Sequence, residues 1–224
     1  MTVKEWLKSW NGFTRRKLTD FASQVEEDLS DLITVFPRYI RWGMHHFLPE
    51  NCLNNSIGPG GVIEWSDDHV YLYSGSTSGS ISAIWKNVDW RHYPQPTWEK
   101  KRYLGIGTII YDYPNQTIYF ITGDYNQNTY VGFRLIGTNA SGVSRIGESS
   151  SEVSLGAVPT GEPLLLEVMF YPTERVEFFI RGEKKGELTT SLPSGTTGAN
   201  TCVLAGIIGT GAEEKFDLTG IEFL

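Results

Sequence analysis

The chain has 224 residues, a formal net charge of −7, 24 glycines, and 13 % aromatic and 20 % charged residues. This length suits one large domain, or a medium domain with a smaller appendage, and the composition excludes a disordered chain and a helical bundle. Phosphate-backbone binding needs a concentrated basic surface, so the acidic balance argues against nucleic acid as a partner. An all-β domain is the favoured class.

The N-terminal region carries helical patterns. Thr2–Glu5 has the form of a capping box, and a short helix is expected to run to about Trp10. A second helix is expected up to Pro37, because apolar residues recur at spacings of four and three. The stripe is too short to separate two interpretations: the helix packs on its own domain, or it meets copies of itself in a homo-oligomer such as a trimer. Its members are Leu18, Ala22, Val25, Leu29, Leu32 and Phe36.

A glycine-rich break at Gly58–Gly61 separates this region from the rest of the chain. The sequence therefore predicts a helical attachment or oligomerisation segment over residues 1–54 and a β domain over residues 55–224. No stretch reaches the ~18 apolar residues that a membrane helix needs, and the first residues lack the pattern of a signal peptide. The expectation is synthesis in the cytoplasm without a membrane span. Cys52 and Cys202 lie far apart in sequence and are expected to be free thiols.

After the break, the apolar pattern changes to period two, with turn signals about every ten residues. Many short strands without helical segments between them indicate a sandwich of two antiparallel sheets. The candidate strands are Val62–Trp65, Val70–Ser74, Ile81–Trp85, Arg102–Tyr113, Thr117–Thr122, Tyr130–Ile136, Val153–Val158, Leu164–Tyr171, Arg175–Arg181, Glu187–Ser191, Cys202–Ile208 and Phe216–Phe223.

One hairpin, within Val176–Gly195, gives the clearest alternation. Val176, Phe178 and Ile180 share one face, which is predicted to be the core, whereas Phe179 points to the other face. The turn of this hairpin is predicted over Gly182–Gly186.

The segment "GEPLLLEVMFYPTERVEFFIRGEKKGELTTSLPSG" resembles the adjacent strands of concanavalin A-like (laminin-G-like) jelly-roll lectin sandwiches. "YVGFRLIG" and "FDLTGIEFL" are similar to a central and a final strand of such domains. The resemblance spans about Gly58 to Leu224 and implies an antiparallel jelly-roll fold. Combined with the helical N-terminal piece, it also resembles structural proteins of bacteriophages and other prokaryotic viruses. The motif is architectural, so it implies function only weakly.

Catalytic chemistry finds no support in the motifs. Glycosidases of this fold pair carboxylates on one strand face, but the acidic clusters Glu64–Asp68 and Glu213–Asp217 have the wrong spacing. No nucleophile elbow, phosphate loop or zinc-protease motif occurs. Adjacent His45 and His46 diverge on a helix, so one metal cannot readily take both. The chain is therefore expected to be neither an enzyme nor dependent on a metal or cofactor.

Two segments have the residue types of a glycan site. An aromatic loop over residues 85–103 contributes Trp85, Trp90, Tyr93 and Trp98. A polar loop contributes Asp124, Tyr125, Asn126 and Asn128. The alternative for the aromatic loop is that its side chains plug one end of the sandwich or lie in a subunit interface. The polar loop lacks the glycine and the closing acid of a calcium loop, and it also fits an ordinary hairpin turn.

The leading functional prediction is a virion structural protein, a capsid decoration or a tail-fibre component. Its sandwich would face outward to reinforce the particle or to contact host-surface glycans, and its partners would be other virion proteins. The alternative is a cellular carbohydrate-binding module, or a glycan-active protein, that uses the aromatic loop directly.

Overall fold

The computed structural model describes residues 40–42, 54–57, 59–66, 69–87 and 97–223. The two predicted helices and the apolar stripe from Leu18 to Phe36 lie outside these residues, so they stay predictions. Within the described part, the chain forms fifteen strands: β1 Ile40–Trp42, β2 Asn54–Ile57, β3 Val62–Trp65, β4 Val70–Tyr73, β5 Ile81–Asn87, β6 Arg102–Ile110, β7 Thr117–Asp124, β8 Thr129–Ile136, β9 Asn139–Ile146, β10 Ser149–Ala157, β11 Pro163–Tyr171, β12 Arg175–Ile180, β13 Glu183–Leu188, β14 Thr201–Ile208 and β15 Lys215–Phe223.

The strands form two antiparallel sheets, which confirms the predicted all-β sandwich. One sheet has eight strands in the order β13-β12-β11-β6-β15-β4-β3, and β1 also pairs with β15. The other has seven strands in the order β10-β9-β8-β7-β14-β5-β2. Strands that are distant in sequence, such as β5, β7 and β14, are therefore neighbours in the seven-stranded sheet.

A single large core fills the space between the sheets. Aromatic pairs connect the two layers: Phe133 and Phe178 meet edge to face at 5.6 Å between ring centroids, and Phe120 and Phe216 do so at 5.2 Å. All four side chains are buried. Such pairs add about 0.5–1.5 kcal/mol each beyond the burial of their surface, so they help to fix the sheets face to face.

The predicted register of the β12 hairpin is confirmed. Val176, Phe178 and Ile180 are buried, whereas Phe179 is half-buried on the outer face. On the neighbouring strand β11, the alternate residues from Leu164 to Phe170 are also buried, and Val168 lies opposite Phe178.

The prediction was wrong about the turn of this hairpin, and it missed the strands β1, β2 and β9. The turn is tight, with positive φ at Arg181 (+53°) and Gly182 (+74°), so β13 already begins at Glu183. The sequence between β8 and β10 was predicted as a loop, yet it forms β9. Its inward positions are small, and Gly142 lies directly under the ring of Phe178. A large side chain from another strand fills the core there, which removes the apolar alternation.

Within the described residues, no helix is long and apolar enough to cross a membrane. Strand β1 precedes the predicted division at residues 54/55, and strand β2 spans it. That division stays a prediction, because residues 1–39 and 43–53 lie outside the described part.

Candidate ligand-binding site

A groove of about 290 Å³ lies on the outer face of the seven-stranded sheet. Its floor comes from the outward positions of β5, β7 and β14, since alternate residues of a strand face opposite sides of the sheet. The inward neighbours, such as Ile84 and Ile207, belong to the core. The floor residues are Ile81, Ala83, Trp85, Tyr119, Leu204, Gly206 and Ile208.

Small residues at the centre of the floor give the groove its depth. Gly206 of β14 lies opposite Ala83 of β5 on one side and opposite Tyr119 of β7 on the other. A Cβ atom added to Gly206 would lie 2.9 Å from the Cβ of Ala83, closer than such atoms approach in proteins. Trp85 and Leu204 form the next cross-strand pair and bound the depression with larger side chains.

The polar rim comes from two segments. The turn between β7 and β8 supplies Asp124, Tyr125 and Asn126, and the residues at the start of β14 supply Asn200 and Thr201. The groove thus combines an apolar, partly aromatic floor with a few carboxylate, amide and hydroxyl groups, which is the usual composition of a small-molecule site.

The β7–β8 turn has a fixed geometry. Asp124 Oδ1 accepts hydrogen bonds from the backbone N–H groups of Asn126 (2.9 Å) and Gln127 (3.2 Å). Gly123 has φ = +108°, and a Cβ atom there would lie 2.4 Å from the carbonyl oxygen of Thr129, so the position requires glycine. This is an Asx turn, in which Asp124 orders its own loop.

A buried arginine holds the second rim segment. Arg102 Nη2 donates to the carbonyl oxygen of Ala199 at 2.7 Å, and the guanidinium lies 4.0 Å from the centroid of the Trp98 ring. Trp98 Nε1 donates to the carbonyl oxygen of Thr197 at 2.8 Å. These contacts fix the chain just before Asn200, which reaches the rim.

Three tyrosine rings meet at one side of the groove. The Tyr125 ring meets that of Tyr119 at 5.1 Å and stacks on that of Tyr130 at 5.7 Å. Burial, together with the neighbouring Tyr119 hydroxyl, raises the pKa of Tyr125 to about 12. The Tyr125 hydroxyl also makes a hydrogen bond with the Tyr119 side chain.

The structure brings together four of the predicted site residues: Trp85, Asp124, Tyr125 and Asn126 all line the groove. Asn128 does not line it, since it lies in the turn with φ = +51° and its N–H donates to the Tyr125 carbonyl. Trp90 and Tyr93 lie outside the described residues.

Trp98 was predicted as a ligand contact, but it is 1 % exposed and packs edge to face on Phe170 at 5.2 Å. It is a core residue, which agrees with the alternative that aromatic residues of this loop plug one end of the sandwich.

Asn200, Thr201 and the floor residues other than Trp85 were not predicted as site residues. Their signal was weak, because the outward positions of "ISAIW" and "VLAGII" are as apolar as the residues of a core strand. Within the described part of the chain, no three His, Cys, Asp or Glu side chains cluster as metal ligands.

No protein-family model and no curated protein matches this sequence. Solved structures show similar folds. A protein of unknown function from Shewanella oneidensis MR-1 is 10 % identical with a TM-score of 0.58, over 83 % of this chain and 84 % of that one.

Two further structures with a similar fold are a toxin binding domain and a sialidase. The binding domain of botulinum neurotoxin DC in complex with SialylT has a TM-score of 0.56 at 8 % identity, and a sialidase has a TM-score of 0.57 at 9 % identity. The matches cover 77 % and 79 % of this chain but only 43 % and 17 % of those chains. At such identities, the similarity shows a shared sandwich fold.

Proposed function

We propose that this protein is a carbohydrate-binding module, with a jelly-roll lectin fold, that binds a glycan in the groove of the seven-stranded sheet. The observation that carries the proposal is the composition of the groove: the rings of Trp85, Tyr119 and Tyr125 border a depression whose rim holds carboxylate and amide groups. The similarity of the fold to a toxin binding domain in complex with SialylT is consistent with this function.

The chemistry of a sugar explains this choice of ligand. A pyranose ring has an apolar face of C–H groups and a perimeter of hydroxyl groups. Aromatic rings accommodate the C–H face, and a few convergent polar groups fix the orientation of the hydroxyls. Asn126 and Asn200 each supply donors and an acceptor at the rim, which suits hydroxyl groups that also do both.

We further propose that the module binds sugars without hydrolysing them. Glycosidases of the usual mechanism use two carboxylates that flank one glycosidic bond. Among the described residues that line the groove, Asp124 is the single carboxylate, and it orders its own turn. Turnover of a bound oligosaccharide would contradict this part of the proposal.

The virion role stays a prediction that rests on the resemblance of the sequence. The groove and the comparisons support the alternative, a carbohydrate-binding module, without indicating a particle. A glycan-binding module also suits either setting, since its chemistry does not depend on what carries it.

A glycan array with the full chain tests the proposed function. Trp85→Ala should weaken the binding of the best array ligand by about tenfold or more, equivalent to about 1.4 kcal/mol. Tyr171→Ala is the matched control, because Tyr171 is a half-buried aromatic residue of the eight-stranded sheet. Binding of no glycan on a broad array, or equal losses in both variants, would contradict the proposal.

A further inference from the structure

We infer that the groove selects neutral glycans and disfavours sialylated ones. The inference rests on the proposed function and names the class of sugar that the site takes. It differs from what the similar structures suggest, since these include a botulinum neurotoxin binding domain in complex with SialylT and a sialidase. The fold is shared, but the ligand is set by the side chains of the groove.

The lining of the groove carries negative charge. Of its described residues, Asp124 is the one with a charged side chain, and the others are apolar, aromatic, amide or hydroxyl groups. A sialic acid bears a carboxylate near neutral pH, and a site for it would supply a cation or several N–H donors to that group. The described lining supplies amide donors from Asn126 and Asn200 but no cation, and its one charged group is the acidic Asp124.

The position of Asp124 is fixed, so a ligand cannot displace its charge at low cost. Oδ1 accepts the backbone N–H groups of Asn126 and Gln127, which holds the carboxylate at the mouth of the groove. The carboxylate can accept hydrogen bonds from sugar hydroxyls, whereas a second carboxylate nearby would be repelled.

Two arginines on the same sheet face do not line the groove. Arg134 of β8 makes an ion pair with Glu152, with Nη2 2.6 Å from each carboxylate oxygen. Arg145 of β9 lies opposite Tyr130, and its Nε donates to the carbonyl oxygen of Gly147. The Arg145 side chain also makes a hydrogen bond with Tyr130, which does not line the groove, and the acidic net charge of −7 adds to the repulsion of anions.

Charge repulsion at a surface site sets the expected size of the effect. An exposed pair of like charges at short range should reduce affinity about fivefold, equivalent to about 1 kcal/mol. The effect should shrink as ionic strength rises, because salt screens exposed charges over about 10 Å at 0.1 M.

Calorimetric titration with matched sugars tests the inference. The probes are neutral oligosaccharides that end in glucose or galactose, and the same oligosaccharides capped with sialic acid. We expect each neutral probe that binds to bind at least about fivefold more tightly than its capped form at low salt. Asp124→Asn keeps an Oδ1 acceptor for the turn but removes the charge, so it should reduce this preference at least twofold. Asp112→Asn makes the same change on an exposed loop between β6 and β7 and should leave the preference unchanged.

The outcomes separate the two proposals. Equal or tighter binding of the sialylated probes would overturn the inference while leaving the proposed function intact. A neutral preference that Asp124→Asn leaves unaltered would also overturn it, because the discrimination would then not come from this carboxylate. Failure of every probe to bind would contradict the proposed function itself.

Discussion

Replacing Phe178 should destabilise the sandwich strongly. The side chain is 0 % exposed, it packs edge to face on Phe133 across the two sheets, and it covers Gly142. Phe→Ala changes in cores remove transfer free energy and leave a cavity, which together cost about 3–5 kcal/mol. The expected loss in Phe178→Ala is therefore a large fraction of the ~5–15 kcal/mol that stabilises a typical domain.

The structure also predicts a coupling between Phe178 and Gly142. A Cβ atom at Gly142 would lie 2.5 Å from the Phe178 ring, so Gly142→Ala should cost about 1–3 kcal/mol through overpacking. Once Phe178 is alanine, that clash is gone. The double variant should therefore be less destabilised than the sum of the single variants, by about 1–3 kcal/mol.

Urea unfolding of the wild type, the two single variants and the double variant measures these effects, provided that the m-value is unchanged. Phe179→Ala is the control from the outer face and should cost under ~1 kcal/mol. Similar losses at Phe178 and Phe179, or simple additivity of Phe178→Ala and Gly142→Ala, would show that the register or the packing across the sheets is misassigned.

Three further predictions concern the ends of the sandwich. Arg102→Met should leave the buried Ala199 carbonyl without its charged donor, so the free energy of unfolding in urea should fall by about 1–3 kcal/mol. Glycan binding should also weaken, because this contact holds the rim segment before Asn200. Unchanged stability would contradict the role of this contact. Gly123→Ala should lower the free energy of unfolding by about 1–3 kcal/mol, because φ there is +108°. The control Gly147→Ala, with φ = +58° and open space for a Cβ atom, should lower it by less. Equal losses of stability in the two variants would refute the close approach of residue 123 to Thr129. Burial raises the pKa of Glu214, which is 3 % exposed, so the ionised side chain destabilises the fold above the folded-state pKa, and this destabilisation disappears as the pH falls below the unfolded-state pKa. In urea unfolding from about pH 7 to about pH 4, the wild type should therefore gain stability relative to Glu214→Gln. A stability difference that does not change with pH would contradict this prediction.

The sequence predicted the core well where apolar residues alternate. Val176, Phe178 and Ile180 are large and apolar at every second position, so burial on one face was the only consistent arrangement. Strand β9 was not predicted, because its inward residues Ala140, Gly142 and Ser144 are small, and a side chain of another strand, Phe178, fills the space above Gly142. Which side chains meet across the two sheets depends on both strands, so the sequence of one strand alone does not predict it.

The candidate site was predicted in part for a similar reason. Asp124, Tyr125 and Asn126 are adjacent in sequence and have the composition of a binding loop, so local chemistry was sufficient. The floor requires β5, β7 and β14 to be neighbours, and the pairing of Ala83 with Gly206 joins residues 123 positions apart. Trp98 was misplaced because a tryptophan in a loop has no periodicity that shows whether it is buried.

The most direct test of glycan binding in this groove is a titration of the isotope-labelled chain with the best array ligand, followed by NMR. We predict that the largest shift changes fall on the side-chain amides of Asn126 and Asn200, on the Trp85 indole N–H and on the backbone of Gly206, all of which border the groove. The backbone amides of β11 and β12, in the opposite sheet, should not shift. Shift changes concentrated on the eight-stranded sheet, with the groove residues unperturbed, would contradict the assignment of this groove as the sugar site.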